Sequence, residues 1–253
     1  VGRLVGSESV GGQDVGQRPV VVGARAQTEG VDRRRGFVGD GRCDEGRRSK
    51  RARVERGRWL VVPLDGVGGD RLDVRSAGAD VVLDTRLDPL VPRNAVFARA
   101  SIERVGLAGR SPTLTSLDVR GYIGLVGQSV AVVRALREHA SAPLPRPLQP
   151  MLGGEGSLRG FRTGTAIGDT LLAGSAEIRV PLTSPLAAGR AGVRAFADVG
   201  TVYAHGGRLR DQRMETGVGG GVWMGAAVFH STLDVARGLG SGTRVHFTAG
   251  FDF

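Results

Sequence analysis

The sequence TRVHFTAGFDF, residues 243–253, alternates between two kinds of side chain up to the last residue. One face would carry Val245, Phe247, Ala249, Phe251 and Phe253, and the other Arg244, His246, Thr248, Gly250 and Asp252. A period of two indicates a β-strand whose faces meet different surroundings. A strict strand that ends the chain on phenylalanine is typical of the last strand of an outer-membrane β-barrel.

Similar alternation, interrupted by turns, recurs upstream. We predict strands at residues 59–64, 80–86, 95–105, 113–125, 128–140, 169–182, 191–203, 214–225, 226–237 and 243–253. Residues 130–139 also fit an amphipathic helix, but the short turn at Gly127-Gln128 favours a hairpin. About nine or ten strands result, so we predict an all-β, antiparallel transmembrane β-barrel. Ten strands could close alone, but we expect part of a larger barrel.

Composition supports a barrel over a helical protein. The 253 residues include 42 glycines and only 5% aromatic residues, which argues against a helical bundle. No apolar run approaches the roughly 18 residues of a transmembrane helix. The mean hydropathy of -0.08 does not exclude a membrane protein, because lumen-facing residues interrupt every strand of a barrel.

Cysteine content and charge restrict the remaining classes. The single cysteine, Cys43, excludes an internal disulfide and a cysteine-based metal cluster, and we expect no metal and no cofactor. The formal net charge of +10 could indicate nucleic acid or anionic lipid as a partner. Since Lys50 is the only lysine, we attribute the excess of arginine mainly to a GC-rich genome and expect no nucleic acid.

The chain divides into two regions. Residues 1–57 are rich in glycine and arginine and show neither period, so we predict a disordered segment, with an arginine-rich arm for RNA or lipid headgroups as the alternative. We assign residues 58–253 to the barrel domain. Because the chain begins at Val1 without a recognisable signal peptide, we expect a processed or truncated protein, or a fragment.

Strand parity brings two carboxylates together inside the barrel. Glu177 and Asp198 would lie on adjacent strands and face the same lumen wall, where they would repel each other unless a cation bridged them. Arg159, in the long connection at residues 141–168, is the natural bidentate donor. If this loop folds inward, Gly160 allows a tight backbone and Phe161 packs inside the barrel.

An ordered set of motifs carries a family resemblance over about residues 80–253. The motifs are Asp84-Thr85-Arg86, Leu158-Arg159-Gly160-Phe161, Gly168-Asp169, Ser175-Ala176-Glu177, Phe196-Ala197-Asp198-Val199-Gly200, Leu233-Asp234-Val235-Ala236 and the terminal Phe253. Together they resemble the carboxy-terminal barrel of the bacterial surface antigen family, the BamA/TamA-like outer-membrane assembly factors. Three features depart from that pattern: Asn94 replaces a common glycine, residues 224–230 lack the usual proline-glycine turn, and residues 1–57 match nothing in the family.

The resemblance implies the last nine or so strands of a sixteen-stranded barrel in the bacterial outer membrane, normally preceded by POTRA domains. It implies that Arg159 contacts Glu177 and Asp198 in a loop-lumen lock that includes Gly160 and Phe161. The terminal strand would be one side of a lateral gate used to insert client proteins, with Phe247, Gly250, Phe251 and Phe253 as its residues. Implied partners are outer-membrane lipid, unfolded outer-membrane proteins and accessory assembly lipoproteins.

Other interpretations of the same residues stay open. A passive barrel or surface antigen without insertase activity is the main alternative, and a basic, nucleic-acid-binding tail on a nonfunctional fragment is another. Glu177 and Asp198 could form an acid/base pair, although a structural charge cluster is favoured. Trp223, Tyr203 and Tyr122 could mark membrane interfaces or lie in ordinary cores.

Enzymatic function has little support. The four histidines are scattered, and no serine, carboxylate and histidine stand in motif spacing. Residues 217–221, Gly-Val-Gly-Gly-Gly, suggest a phosphate-binding loop only superficially, since no helix and no Gly-Lys-Ser/Thr sequence follow. We interpret these glycines as giving the barrel room to bend.

Overall fold

A computed structural model describes residues 51–56, 60–65, 71–88, 91–107, 109–183, 189–226 and 229–251. Its longer strands are β1 (Arg51–Arg56), β2 (Leu60–Asp65), β3 (Arg71–Asp84), β4 (Ala95–Gly106), β5 (Thr113–Gly124), β6 (Val130–Ala140), β9 (Thr170–Thr183), β10 (Gly189–Tyr203), β11 (Glu215–Ala226), β12 (Phe229–Gly238) and β13 (Gly242–Phe251). The short β7 (Met151–Leu152) and β8 (Ala166–Ile167) pair with each other inside the long connection. No helix in these ranges could cross a bilayer.

The eleven longer strands in the described ranges form one antiparallel sheet in sequence order. β1 pairs with Ala79–Asp84 of β3 and β2 with Arg71–Ser76, so both lie end to end along the same edge of β3. The sheet therefore has ten strand positions, at the upper end of the nine or ten predicted. Its edges are the β1/β2 position and β13, and no described strand pairs with the outer side of either.

Most strand predictions are confirmed to within a few residues. Residues 130–140 form a strand and not a helix, because their ladders to β5 and β9 use both edges of the segment. β3 begins at Arg71, well before the predicted start at residue 80. The domain boundary after residue 57 stays a prediction, although β1 lies on its amino-terminal side. Residues 1–50, including Cys43, lie outside the described residues.

The two faces of the sheet have opposite characters. In β10, Arg194, Phe196, Asp198 and Gly200 are buried, whereas the intervening residues Val193, Ala195, Ala197 and Val199 are exposed. The neighbouring strands repeat this division, with exposed Ile178, Val222, Leu233, Val235 and Phe247 on the outer face. An apolar outer face and a charged inner face are those of a membrane barrel wall, so the predicted fold class is confirmed.

Connections differ between the two ends of the sheet. At one end, the described turn after β5 is short, and Asn94, just before β4, adopts a left-handed backbone (φ 48°) while its side-chain oxygen accepts a hydrogen bond from Gly124 N at 3.0 Å. The other end carries the long connection between β6 and β9 and the loop after β10. Longer loops are typical of the extracellular end, which we call the loop end.

Two aromatic residues considered as membrane-interface markers lie inside. Trp223 and Tyr122 are 8% and 6% exposed and pack with Val130 and Val132 in one inner cluster. The Trp223 indole Nε1 donates to the carbonyl oxygen of Val193 at 3.3 Å. Their interfacial interpretation is wrong, because strand parity turns both side chains inward, where the ring nitrogen finds a backbone acceptor.

The outer face can be tested with two leucines of similar exposure. Leu233 on β12 is 46% exposed and Leu209, in a 3-10 turn of the loop after β10, is 48% exposed. We expect Leu233→Arg to destabilise the membrane-inserted protein by about 2–4 kcal/mol, because an outward charge in mid-strand meets hydrocarbon. Leu209→Arg should be nearly neutral.

The measurement is the urea midpoint of heat-modifiable gel mobility in lipid vesicles. Equal midpoints for the two variants would contradict a lipid-facing wall at β12.

Candidate functional site

The long connection between β6 and β9 returns across the inner face of the sheet. Leu158 and Phe161 are 0% and 3% exposed, and they pack with Leu152 and Leu171 in a single inner cluster. Three of these four side chains come from the connection itself. Their burial holds the loop against the lumen wall, which is where the sequence predicted Phe161.

The tip of this loop is a compact turn that depends on glycine. Gly153, Gly154 and Gly160 have positive φ angles of 110°, 77° and 89°. Gly154 N donates to Phe161 O at 3.0 Å, and Leu158 N donates to Gly154 O at the same distance. Residues with a Cβ rarely adopt these angles, so the glycines allow the chain to turn and present Arg159 to the wall.

Arg159 joins the two carboxylates that strand parity predicted as neighbours. Its Nε and Nη2 donate to the two oxygens of Asp198, each at 2.7 Å, and its Nη1 donates to Glu177 Oε2 at 2.9 Å. The backbone N of Arg159 also donates to Asp198 Oδ2, at 3.0 Å. Ser175 Oγ completes the group, accepting from Nη2 and donating to Asp198 Oδ1.

The surroundings keep this guanidinium charged. Burial alone would lower the pKa of Arg159, but the hydrogen bonds and charges of Asp198 and Glu177 raise it above its ordinary value. The guanidinium carbon also lies 3.4 Å from the centre of the Phe196 ring, whose face attracts a cation. Side chains from β9 and β10 thus surround one charge delivered by the loop.

A second ion-pair group lies beside the first. Arg194 on β10 donates through Nε and Nη2 to both oxygens of Asp234 on β12, and its Nη2 also donates to Glu155 of the loop at 2.9 Å. Nη1 of Arg194 is 3.7 Å from Glu177 Oε2, so Glu177 is shared by both groups. Alternation along β10 turns Arg194 inward and Asp234 stands in one of the family motifs, but neither residue was predicted for the site, and no sequence pattern indicated Glu155.

Glycines of the wall make the close approach of the loop possible. A Cβ on Gly217 would lie 1.9 Å from the carbonyl oxygen of Arg159, and one on Gly238 would lie 2.7 Å from the Phe161 ring. Gly221 likewise faces the Asp234 carboxylate, at 2.0 Å from a Cβ position. The glycines of β11 therefore do more than allow the strand to bend. Their inner face leaves space for the loop at Gly217 and for the Asp234 carboxylate at Gly221.

The loop also contacts the terminal strand. Gly160 N donates to His246 Nε2 at 3.0 Å, and Thr248 Oγ1 donates to Glu155 Oε2 at 2.5 Å. Because Nε2 accepts this hydrogen bond, the His246 ring carries its proton on Nδ1 in this arrangement. Two contacts therefore connect the loop tip to β13.

The residues predicted for the gate are distributed differently. Phe247 is 49% exposed on the outer face, Gly250 is buried on the inner face next to His230, and Phe251 is the last residue of β13. Phe253 lies outside the described residues. The structure thus brings together Arg159, Gly160, Phe161, Glu177 and Asp198. The predicted gate residues that it describes, Phe247, Gly250 and Phe251, are not part of this group.

Glu177 and Asp198 are engaged as charge partners. Asp198 accepts from Arg159 and Ser175, and Glu177 accepts from Arg159 and, at 2.5 Å, from Arg179 Nε. This arrangement supports the structural interpretation over an acid/base pair. In the described ranges, no three histidine, cysteine or acidic side chains are grouped so that they could hold a metal ion.

Comparison with known proteins finds a matching family model and solved structures with a similar fold. The model of the Omp85 superfamily domain matches residues 40–253, so the prediction that residues 1–57 match nothing in the family is wrong for residues 40–57. A solved structure of BamA from Haemophilus ducreyi lacking POTRA domains 1–3 superposes with a TM-score of 0.59 at 18% identity, covering 73% of this chain and 44% of that one. CdiB from Acinetobacter baumannii gives a TM-score of 0.51 at 19% identity, covering 72% and 34%.

No curated protein sequence matches the chain. The chain spans less than half the length of either solved structure, and at these identities the likeness shows the fold alone. The matched superfamily and both structures belong to bacterial outer-membrane β-barrel proteins, which confirms the predicted location in the outer membrane.

The bidentate geometry at Arg159 predicts that replacing this residue with lysine lowers the stability of the protein. We expect Arg159→Lys to lower the free energy of unfolding by about 2 kcal/mol or more, because an ammonium group cannot bond both carboxylates and Ser175 in one plane. Arg162→Lys is the matched control, since Arg162 is exposed on the same loop. Urea midpoints in lipid vesicles compare the two variants, and indistinguishable midpoints would disprove the bridging role.

The close contacts between the loop and the glycines of the wall predict that one methyl group added to such a glycine displaces the loop. Gly217→Ala should expose Arg159 to trypsin, because its Cβ would overlap the Arg159 carbonyl oxygen. Gly156→Ala is the control, as no heavy atom lies within 4 Å of its Cβ position. Mass spectrometry of limited digests measures cleavage after Arg159; protection of this bond in the Gly217→Ala protein would refute the packing described above.

Proposed function

The chain belongs to the Omp85 superfamily, and we propose that it forms the carboxy-terminal part of a barrel that inserts or assembles other outer-membrane proteins. In this proposal the terminal strand opens laterally and pairs with an unfolded client strand. The protein acts without catalysis and without a nucleotide or other cofactor. Its partners are outer-membrane lipid, unfolded outer-membrane proteins and accessory assembly lipoproteins.

The observation that carries the proposal is the unpaired outer edge of β13. The ladder from β12 uses one edge of this strand, from Phe229↔Phe251 to Gly238↔Gly242, and no described strand uses the other. Free backbone N–H and C=O groups on a strand edge are a template for another strand. A client strand pairing there would satisfy these groups and extend the sheet.

The loop supports this role because it connects the buried lock to the same strand. Gly160 and Glu155, on either side of Arg159, make the hydrogen bonds to His246 and Thr248 of β13. Arg159 is in turn fixed by Asp198 and Glu177. In the proposed mechanism this lock holds the inner face of the terminal strand while its outer edge exchanges partners.

The lock predicts that insertion activity depends on Arg159. We expect Arg159→Ala to slow the insertion of a small client barrel into vesicles carrying the protein by about tenfold, equivalent to only about 1.4 kcal/mol in the barrier. The reason is that two carboxylates left without their cation would no longer hold the loop on β13. Arg162→Ala, on the exposed part of the loop, should insert clients at the wild-type rate.

The same assay separates the proposal from a passive barrel or surface antigen. A passive barrel would give the client-insertion rate of empty vesicles in both the wild type and the Arg159→Ala variant. A wild-type rate retained by a folded Arg159→Ala protein would reject the lock.

Cross-linking tests where on the barrel a client strand pairs during insertion. In a Cys43→Ser background, Phe247→Cys on β13 should form a disulfide with a cysteine in the client strand during insertion. Val199→Cys on β10, which also faces outward but whose strand has partners on both edges, should not. Equal cross-linking at both positions would mean that the client contacts the barrel surface without pairing at the terminal edge.

A further inference from the structure

The outer face of the barrel wall carries an uneven distribution of charge. Four arginines face outward and are exposed: Arg75 on β3, Arg104 on β4, Arg137 on β6 and Arg237 on β12. All four stand near the loop end of the sheet, and we call them the arginine rim. Among the outward-facing side chains that the structure describes on these and the other long strands, none is Asp or Glu.

The arginine rim has no internal counterion in the described part of the chain. None of its four guanidinium groups forms an ion pair or a side-chain hydrogen bond with a described residue, whereas Arg159 and Arg194 inside the lumen are fully paired. Arg190, near the opposite end of the wall, is also paired, to Asp88 at 3.3 Å. On the outer face of the described strands, the unpaired positive charge therefore lies at the loop end.

Strand length places the rim at the level of the lipid headgroups. On β4 the stretch from Ala95 to Glu103, which precedes Arg104, has outward residues Val96, Ala98, Ala100 and Ile102. At about 3.3 Å per residue and a tilt of about 40°, those nine residues rise roughly 23 Å, close to the typical apolar height of about 25 Å. A guanidinium in mid-bilayer would be costly, but here it reaches the polar boundary.

The register brings two rim arginines close together. Arg75 lies opposite Gly106 and Arg104 opposite Ala77, so the two arginines are diagonal neighbours on one face of adjacent strands. Their Cβ atoms are therefore about 7 Å apart. Like charges at this spacing repel, and an anion with several oxygens between them would remove the repulsion through charge-assisted hydrogen bonds.

We propose that the arginine rim binds the phosphate groups of lipid A, the phosphorylated glycolipid of the outer leaflet. The ligand must be amphiphilic, because each rim arginine stands directly above outward apolar residues such as Ile102 on β4 and Val235 on β12. Phosphates would meet the guanidinium groups while acyl chains cover the apolar wall. The contact fixes the depth and leaflet orientation of the barrel, and it does not depend on insertase activity.

The scarcity of outward aromatic residues at this end strengthens the inference. Barrels commonly mark the membrane boundary with Trp and Tyr, but Trp223 and Tyr122 lie in the lumen. Among the described strands, only Tyr203 places an aromatic side chain on the outer face near the loop end. Arginine therefore takes the place of the aromatic girdle and gives the boundary a preference for anionic lipid.

The test titrates the detergent-solubilised full chain with lipid A and counts bound lipid by native mass spectrometry. The double variant Arg75→Gln, Arg104→Gln should bind roughly twenty-five-fold more weakly, since each basic residue at an anionic lipid surface contributes about fivefold. The matched control is Arg208→Gln, Arg210→Gln, which removes the same charge from the exposed loop at the same end of the sheet.

Each result decides the proposal. Wild-type affinity in the rim variant, or an equal loss in the loop control, would overturn it, the second by showing that net charge alone attracts the lipid. If the rim variant does not fold, the wild type is titrated with lipid A and with its dephosphorylated form. A clear preference for lipid A would support phosphate recognition, and equal binding would overturn it.

Discussion

The structure depends on one buried cation, the guanidinium of Arg159. A charge in a confined lumen must be paired, and this one is paired by carboxylates on two adjacent strands and by a serine between them. The pairing fixes where the loop lies, and the loop in turn covers the inner wall from β9 to β13. The backbone can approach that closely because the wall offers glycine where Arg159 and Phe161 touch it.

The same constraint joins the interior to the edge of the sheet. Arg159 anchors the loop on β9 and β10, Arg194 ties Glu155 to β12, and Glu155 and Gly160 hold the inner face of β13. A continuous series of hydrogen bonds therefore joins the lock to the terminal strand. This continuity is the physical basis of the proposed insertion function.

Much of this site could be predicted from the sequence because side chains alternate between the two faces of a strand with a period of two. Alternation alone turned Glu177, Asp198 and Arg194 inward, and the need to neutralise two facing carboxylates pointed to Arg159. It did not reach Glu155, whose loop position follows no period. It also left open on which face Trp223 and Tyr122 lie, because an aromatic residue suits both a membrane boundary and a lumen core.

The sequence by itself determined most of the strands, the inward or outward side of most of their residues and the membrane location, because all three follow from local alternation and composition. Only the tertiary structure decided which partners those faces meet. It showed that Gly217 and Gly238 receive the loop, that Arg194 pairs with Asp234 and Glu155, and that the rim arginines form no ion pair with a described residue. Such contacts join residues far apart in the chain, and no local pattern encodes the distance between them.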